Sequence, residues 1–544
     1  MPGQPVGTRP GRTARSRAGR QSRAGRDTAP SGFTGAPVRI GIAVAVMLAA
    51  AAVTTVVRPG ADAAKARIET KPFAAPLRAS TLVCPESRAD EDGTRTRVHA
   101  VSAPAGLAGG DEPGKLAIHR IDKAGDDKSV LGSVDKREKP AAVEVKAPNT
   151  PPLVALAEGS LAPGATMGAL TRSTEGPLRG LAEAQCTSPG AEFWFVGAGS
   201  QVGRHPVLYV SNPEDADARI DVTLYDKQGR IDTDALRSLD VAPHTQLVLR
   251  LEEAAPTSAE LAVHVRASRG RVAAALRDDR VVDGRPAGVD WIPAAVPPAK
   301  SLVVPGIAGG AGSRVLNVFV PGDNTAVVDL LMLGTNGPFE PAGLDSLEIG
   351  PGQVRQIDLS KVTVKQPAAL RITADVPVVA SLRNELVAAK EKVDEDDEEE
   401  GSESAPVREV AYASAARPMN GPAVVPLTPS GKGRSARIQV STSDKKGTTV
   451  DVAVLALDGR QVFDEQIEVP AGGTAELGLP NTEGDKGYVV VATPRQGSRV
   501  HGVRILTENV EDGPDPGPMV SIWPLDSAPV TALRPAARSD LGTR

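Results

Sequence analysis

Beyond residue 76 the chain is a succession of short runs in which apolar and polar residues alternate with a period of two. This is the pattern of strands with one buried face. In Arg219–Tyr225, Ile220, Val222 and Leu224 fall on one face and Arg219, Asp221 and Thr223 on the other. That run ends at Lys227-Gln228-Gly229-Arg230, where the glycine suits a hairpin turn. Similar runs occur at Ser80–Val83, Arg97–Val101, Lys115–Ile118, Ala142–Val145, Val207–Val210 and Leu261–Val265. Asn336-Gly337 and Asp458-Gly459 punctuate later ones as hairpin signals. Helical periodicity is scarce outside residues 40–57 and Leu386–Lys392, so the pattern predicts an all-β protein.

Three blocks repeat. Leu239-Asp240-Val241-Ala242-Pro243 leads to Leu247, Leu249 and Leu251; Leu347-Glu348-Ile349-Gly350-Pro351 leads to Ile357 and Leu359; Ile467-Glu468-Val469-Pro470-Ala471 leads to Leu477 and Leu479. Their offsets, 347 − 239 = 108 and 467 − 347 = 120, match the length of a β-sandwich domain and exceed any solenoid unit. The expectation is tandem immunoglobulin-like β-sandwiches behind one N-terminal transmembrane helix. Repeats are placed at 191–300, 301–423 and 424–533, preceded by a divergent β-rich domain at 76–190 and followed by a tail at 534–544. Pro-rich joints at Pro293–Pro305, Pro418–Pro426 and Pro524 suggest a semi-rigid rod of beads.

Composition refines this. Only 3% of residues are aromatic, so the cores must be built from Val, Leu, Ile and Ala. A net charge of −5 over 544 residues gives no general reason to bind nucleic acid. Residues 1–39 carry eight arginines against one acid, Asp27, and residues 40–57 carry no charge. A basic cytoplasmic tail before an apolar run is the signal of an N-in, C-out anchor, with 58–75 as a stalk. Eighteen residues are just enough to span as a helix. The alternative is a cleaved signal, with Ala61-Asp62-Ala63 or Ala64-Lys65-Ala66 as the cleavage site. Asp394–Glu400, within an acidic insertion at 394–403, repels itself and reads as a disordered loop.

Candidate chemistry is sparse. Cys84 and Cys186 lie beyond the apolar run, where oxidising conditions favour a disulfide; two buried thiols are the alternative. None of the six histidines sits in a metal-ligand spacing, including His264 in a strand interior. Ser133-Val134-Asp135-Lys136 fits a Ser-x-x-Lys pattern but lacks the helix that would set its lysine beside the serine. Gly306–Gly312 lacks the Gly-Lys-Ser/Thr ending of a phosphate loop. No catalytic, cofactor or metal residues are therefore assigned. Arg277, Arg383 and Arg504 each end the same hairpin of a repeat. On one edge of a rod they could bind an anionic wall polymer; the plainer reading pairs them with Asp278, Glu385 and Glu508.

Arg179-Gly180-Leu181, Cys186-x-x-Pro189, Glu192-x-Trp194-Phe195-Val196-Gly197 and Asn212-Pro213, followed by the repeated blocks, resemble an actinobacterial family of uncharacterised secreted or membrane-anchored proteins. The resemblance implies location and architecture and transfers no site residues. The function expected is a membrane-anchored, extracytoplasmic, non-enzymatic interaction or scaffold protein whose partner is an envelope protein or wall polymer. The alternative is a wall-associated enzyme or glycan-binding protein with its site in residues 76–190.

Overall fold

The computed structural model describes residues 73–86, 93–104, 112–146, 150–363, 366–388, 407–481, 486–511 and 515–534. The basic tail, the apolar run, nearly all of the stalk, the acidic insertion and residues 535–544 lie outside them. Strands dominate; the described residues contain single 3-10 turns but no α-helix. None of their helices is long and apolar enough to cross a membrane.

The strands build four two-sheet sandwiches with one shared topology. In the last, sandwich IV, Ala423–Thr428, Tyr488–Pro494, Thr448–Ala456 and Gln461–Val469 form one sheet in that spatial order. Thr474–Gly478, Arg434–Thr442, Val500–Val510 and Gly517–Pro524 form the other. Counted along the chain, strands 1-6-3-4 make one sheet and 5-2-7-8 the other, all antiparallel. The repeated block of the sequence is the crossover from strand 4 to strand 5. Sandwich I repeats this order from Ala79–Cys84 to Gly180–Gln185. It is therefore a fourth copy, hidden because Gly132–Val145, its crossover, lacks the aliphatic-acid-aliphatic triplet followed by proline that marks the other three. In sandwich III strands 6 and 7 fuse into one strand, Ala368–Val387, which joins both sheets.

Each sandwich has its own core between the sheets. In sandwich IV it consists of residues such as Ile438, Val440, Val450, Val452, Val454 and Val490. Valine carries it because β-branching fits the pleat. Cys84 and Cys186 are joined by a disulfide with Cα atoms 4.3 Å apart, tying the two sheets of sandwich I at buried positions.

The seventh and eighth strands of the four copies are labelled in chain order. They are β1 (Ala165–Ser173) and β2 (Gly180–Gln185); β3 (Ala273–Val282) and β4 (Arg285–Ile292); β5 (Ala368–Val387) and β6 (Arg408–Ser414); β7 (Val500–Val510) and β8 (Gly517–Pro524). The eighth strands do not alternate in burial. In β2, β4, β6 and β8 most residues are buried, on both faces. A strand apolar on both faces cannot end a sandwich at water. Each is covered by the next sandwich: β2 lies against β4, β4 against β6, β6 against β8, and β8 back against β2. The rod of separate beads suggested by the prolines is not what forms; the four sandwiches close into a cycle within one compact unit.

Apolar clusters cross every junction. Ala182 and Ala184 share a cluster with Val289 and Trp291; Val410 and Tyr412 join the core of sandwich II. Ala411 and Ala413 meet Val503 and Ile522, and Leu170 and Leu181 meet Leu427 and Leu506. Where sandwiches I and IV meet, Gly168 lies under the Trp523 ring, and a Cβ there would come within 2.5 Å of it. The cycle is completed by the antiparallel pair Phe73–Pro76 with Thr531–Arg534.

Candidate functional site

The four eighth strands bring charged side chains into the seam. Glu183 on β2 accepts two hydrogen bonds from the Arg504 guanidinium of β7, and Ser521 of β8 donates a third at 2.9 Å. The Arg504 side chain is 0% exposed and that of Glu183 3%. On β4, Asp290 accepts from the Glu183 amide at 3.3 Å and the Tyr412 amide at 3.0 Å, linking sandwiches I, II and III. Burial pushes its pKa well above the usual carboxylate range. Glu409 on β6 is raised in the same way, with Arg179 only 3.8 Å away. Arg179 in turn donates to the backbone oxygens of Asp515 (2.8 Å) and Gly517 (3.0 Å) where β8 begins. Between sandwiches II and III, Asp278 accepts from Arg204 and from the Tyr412 hydroxyl, and Glu385 accepts from Arg280 at 2.8 Å and Arg408 at 2.6 Å.

The three arginines singled out in the sequence occupy equivalent positions, but they do not form an exposed row. Each stands directly across an antiparallel pair from an aromatic residue: Arg277 from Trp291, Arg383 from Tyr412, Arg504 from Trp523. Arg277 is 8% exposed, hydrogen-bonds Asp279 at 2.7 and 2.8 Å, and packs over the Tyr209 and Trp291 rings. Arg504 is spent on Glu183. Arg383 is half-buried beside Tyr412 and Arg280, and burial lowers its pKa. They face inward because β3, β5 and β7 each pair with a strand covered by a neighbouring sandwich. None takes the acid nearest in sequence: Asp278 goes to Arg204, Glu385 to Arg280 and Arg408, and Glu508 to Arg172 and Arg434.

Glu183, Asp290 and Glu409 were not singled out in the sequence. Their signal is a lone acid inside an apolar run, as in Val289-Asp290-Trp291-Ile292, which only a buried partner or protonation makes tolerable.

Other sequence features settle into structural places. Ser133 lies in the strand Gly132–Val134, with no helix to present Lys136 to it. The Gly306 amide donates to Gln439 Oε1 at 2.9 Å and its carbonyl accepts from Asn384 at 3.1 Å, a joint between sandwiches III and IV. His264 stacks on Trp194 at 3.6 Å and hydrogen-bonds Glu192 at 2.9 Å. Among the described residues no group of three or more His, Cys, Asp and Glu is placed to hold a metal.

Buried His99 and His501 make the assembly pH-sensitive. Burial lowers each pKa from 6.5 to about 4, against hydrogen bonds to the Pro426 and Ala416 carbonyls respectively. Below pH 6.5 the unfolded chain takes up protons that the folded chain refuses. Their stabilisation is therefore complete above pH 6.5 and is lost as pH falls towards 4, on the order of 3 kcal/mol for each. Asp290 and Glu409 act in the opposite sense, so the histidines are isolated by comparison. The fall in denaturation midpoint between pH 7.5 and 4.5 is expected to be shallower in the His99→Asn/His501→Asn double variant than in the wild type. An identical fall in both proteins would contradict this.

A shallow concavity opens at the junction of sandwiches I and IV. Its lining includes Arg95, Arg97, Arg172 and Arg434, with Glu508 as the acid and Leu170 and Leu181 as apolar floor. Arg95 is exposed and Arg97 half-buried. Glu508 Oε1 accepts from Arg172 Nε at 2.8 Å and Oε2 from Arg434 Nε at 2.9 Å.

Comparison with known proteins gives a family and no chemistry. The model of a family of unknown function, DUF5719, matches residues 141–503. No curated protein matches the chain. Among solved structures, a Streptomyces avermitilis alpha-L-rhamnosidase crystallised with L-rhamnose is paired at 10% identity and a TM-score of 0.10. That pairing covers 81% of this chain and 56% of the other, and at that score it carries no argument.

Proposed function

We propose a function from one premise: the chain belongs to the DUF5719 family, whose description assigns no activity. It is a membrane-anchored, extracytoplasmic interaction or scaffold protein of the cell envelope, non-enzymatic, held by residues 40–57, with its sandwiches read as immunoglobulin-like modules. The observation that carries this reading is the closed cycle of sandwiches. A body sealed by the pairing of Phe73–Pro76 with Thr531–Arg534 begins soon after the apolar run in the sequence, and its first strand is tied to its last. The Cys84–Cys186 disulfide supports an oxidising compartment. The buried acids and arginines of the seam are engaged in holding sandwiches together, which leaves the outer surface for partners.

The test is crosslinking of intact cells with a membrane-impermeant reagent, followed by mass spectrometry. The expected result is labelling of the sandwiches before lysis and a reproducible envelope neighbour. Labelling only after lysis would overturn the reading.

A further inference from the structure

We propose that the fifth strand of sandwich II, Thr245–Arg250, pairs edge to edge with the same strand of a second copy of this chain. The proposal holds whether or not the protein is anchored in a membrane.

In each sheet ordered 5-2-7-8 the eighth strand lies in the seam, so the fifth stands at the opposite edge. Thr245–Arg250 pairs with Arg204–Asn212, in a register running from Val207 opposite Arg250 to Asn212 opposite Thr245. No described strand pairs on its other side. In an antiparallel strand every second residue directs its N–H and C=O away from the partner. This edge therefore carries a row of unpaired backbone groups, which is a template for another extended strand.

The other fifth strands are guarded. Ala141–Val145 carries Glu144, Val354–Asp358 carries Arg355 and Asp358, and Thr474–Gly478 carries Glu476, all of them exposed. Charges on an edge suppress pairing with another chain, because pairing would strip them of water. Thr245-Gln246-Leu247-Val248-Leu249-Arg250 has no charge before its last residue. Its Val248 is 44% exposed, and Leu247 and Leu249 are half-buried against the core of sandwich II. It has the β-branched and aliphatic content of a strand and none of the protection given to its three equivalents.

The strand is also complementary to itself. Successive residues point to opposite faces. Across a twofold axis normal to the sheet, the two cores stay on one side only if residues of the same face meet. Centring the pair on Val248 meets that condition: Val248 faces Val248, Leu247 faces Leu249, and Gln246 faces Arg250. Apolar side chains then meet apolar ones, and each arginine meets a neutral amide, so no like charges are opposed. Such an interface is isologous and closes at two copies. Six paired residues make a small interface, so association should depend on concentration.

Both native cysteines are engaged in the Cys84–Cys186 disulfide, so Val248→Cys adds a single free thiol. In the proposed register its two copies have Cα atoms about 4.5–5.5 Å apart, within reach of a disulfide. The experiment is mild oxidation of the purified full-length chain in detergent, read by non-reducing electrophoresis over a range of protein concentrations. Val248→Cys is expected to give a crosslinked dimer. Val462→Cys, at a valine 47% exposed on the edge strand Gln461–Val469, serves as the collision control, because Asp464 and Glu465 guard that edge. It should crosslink far less. In sedimentation equilibrium, Val248→Lys opposes two lysines and should weaken dimerisation of the otherwise native chain by about tenfold or more. A wild type that stays monomeric at every concentration, equal crosslinking of the two cysteine variants, or an unweakened dimer in Val248→Lys would each overturn the proposal. Crosslinking of Val248→Cys in whole cells to a different polypeptide and not to itself would assign the edge to another partner, and would overturn it equally. Should Val248→Lys not fold, the comparison of the two cysteine variants decides alone.

Discussion

Glu183→Ala is expected to destabilise the folded chain by about 3–5 kcal/mol, because it strands the Arg504 guanidinium in a seam that water does not reach. The two side chains are 3% and 0% exposed, and Ser521 shares the same carboxylate. Most of the loss is the cost of an unpaired buried charge, not the worth of the pair. The double variant Glu183→Leu/Arg504→Met should therefore recover much of the stability that either single change removes. Denaturant unfolding of the wild type, both single variants and the double variant gives the coupling directly. A loss below about 1 kcal/mol in Glu183→Ala would mean that the pair behaves like a surface ion pair and that the seam is wet. Because Glu183 belongs to sandwich I and Arg504 to sandwich IV, the loss should also loosen their junction. Hydrogen exchange in β2 and β8 should rise together.

Replacing Cys84 and Cys186 by alanine should cost about 4–5 kcal/mol on the chain-entropy account of a loop spanning 102 residues. The effect should centre on sandwich I, whose sheets the bridge ties together and whose crossover strand is short. The measurement is the denaturation midpoint with and without reductant, with the double alanine variant as reference. A midpoint unmoved by reductant would show that the packing of sandwich I is sufficient alone.

The sheets were legible because burial on one face writes itself as alternation. Arg219–Tyr225 reads as a strand and is one, within Ala218–Asp226. The repeated block, an aliphatic-acid-aliphatic triplet followed by proline, was legible for a related reason: the strand 4 to strand 5 crossover needs the same turn in three copies. Sandwich I escaped because its crossover, Gly132–Val145, makes the same connection with unrelated residues. The seam acids escaped for a different reason. Glu183, Asp290 and Glu409 are in strands that a single-sandwich reading would end at water, and a lone acid at a water-facing position is unremarkable. The cleft arginines are further still from legibility: Arg95 and Arg434 are separated by most of the chain and meet only where sandwiches I and IV close.

By itself, the sequence determined the all-β character of the described residues and three of the four sandwiches they form, because period-two burial and turn chemistry are local and leave a local trace. Only the tertiary structure decided that the sandwiches close into a cycle, that Arg277 and Arg504 turn inward, and that four other arginines gather in one cleft. Each of these depends on which sandwich covers the second face of β2, β4, β6 and β8. That is a contact between segments some hundred or more residues apart, and no spacing along the chain records it.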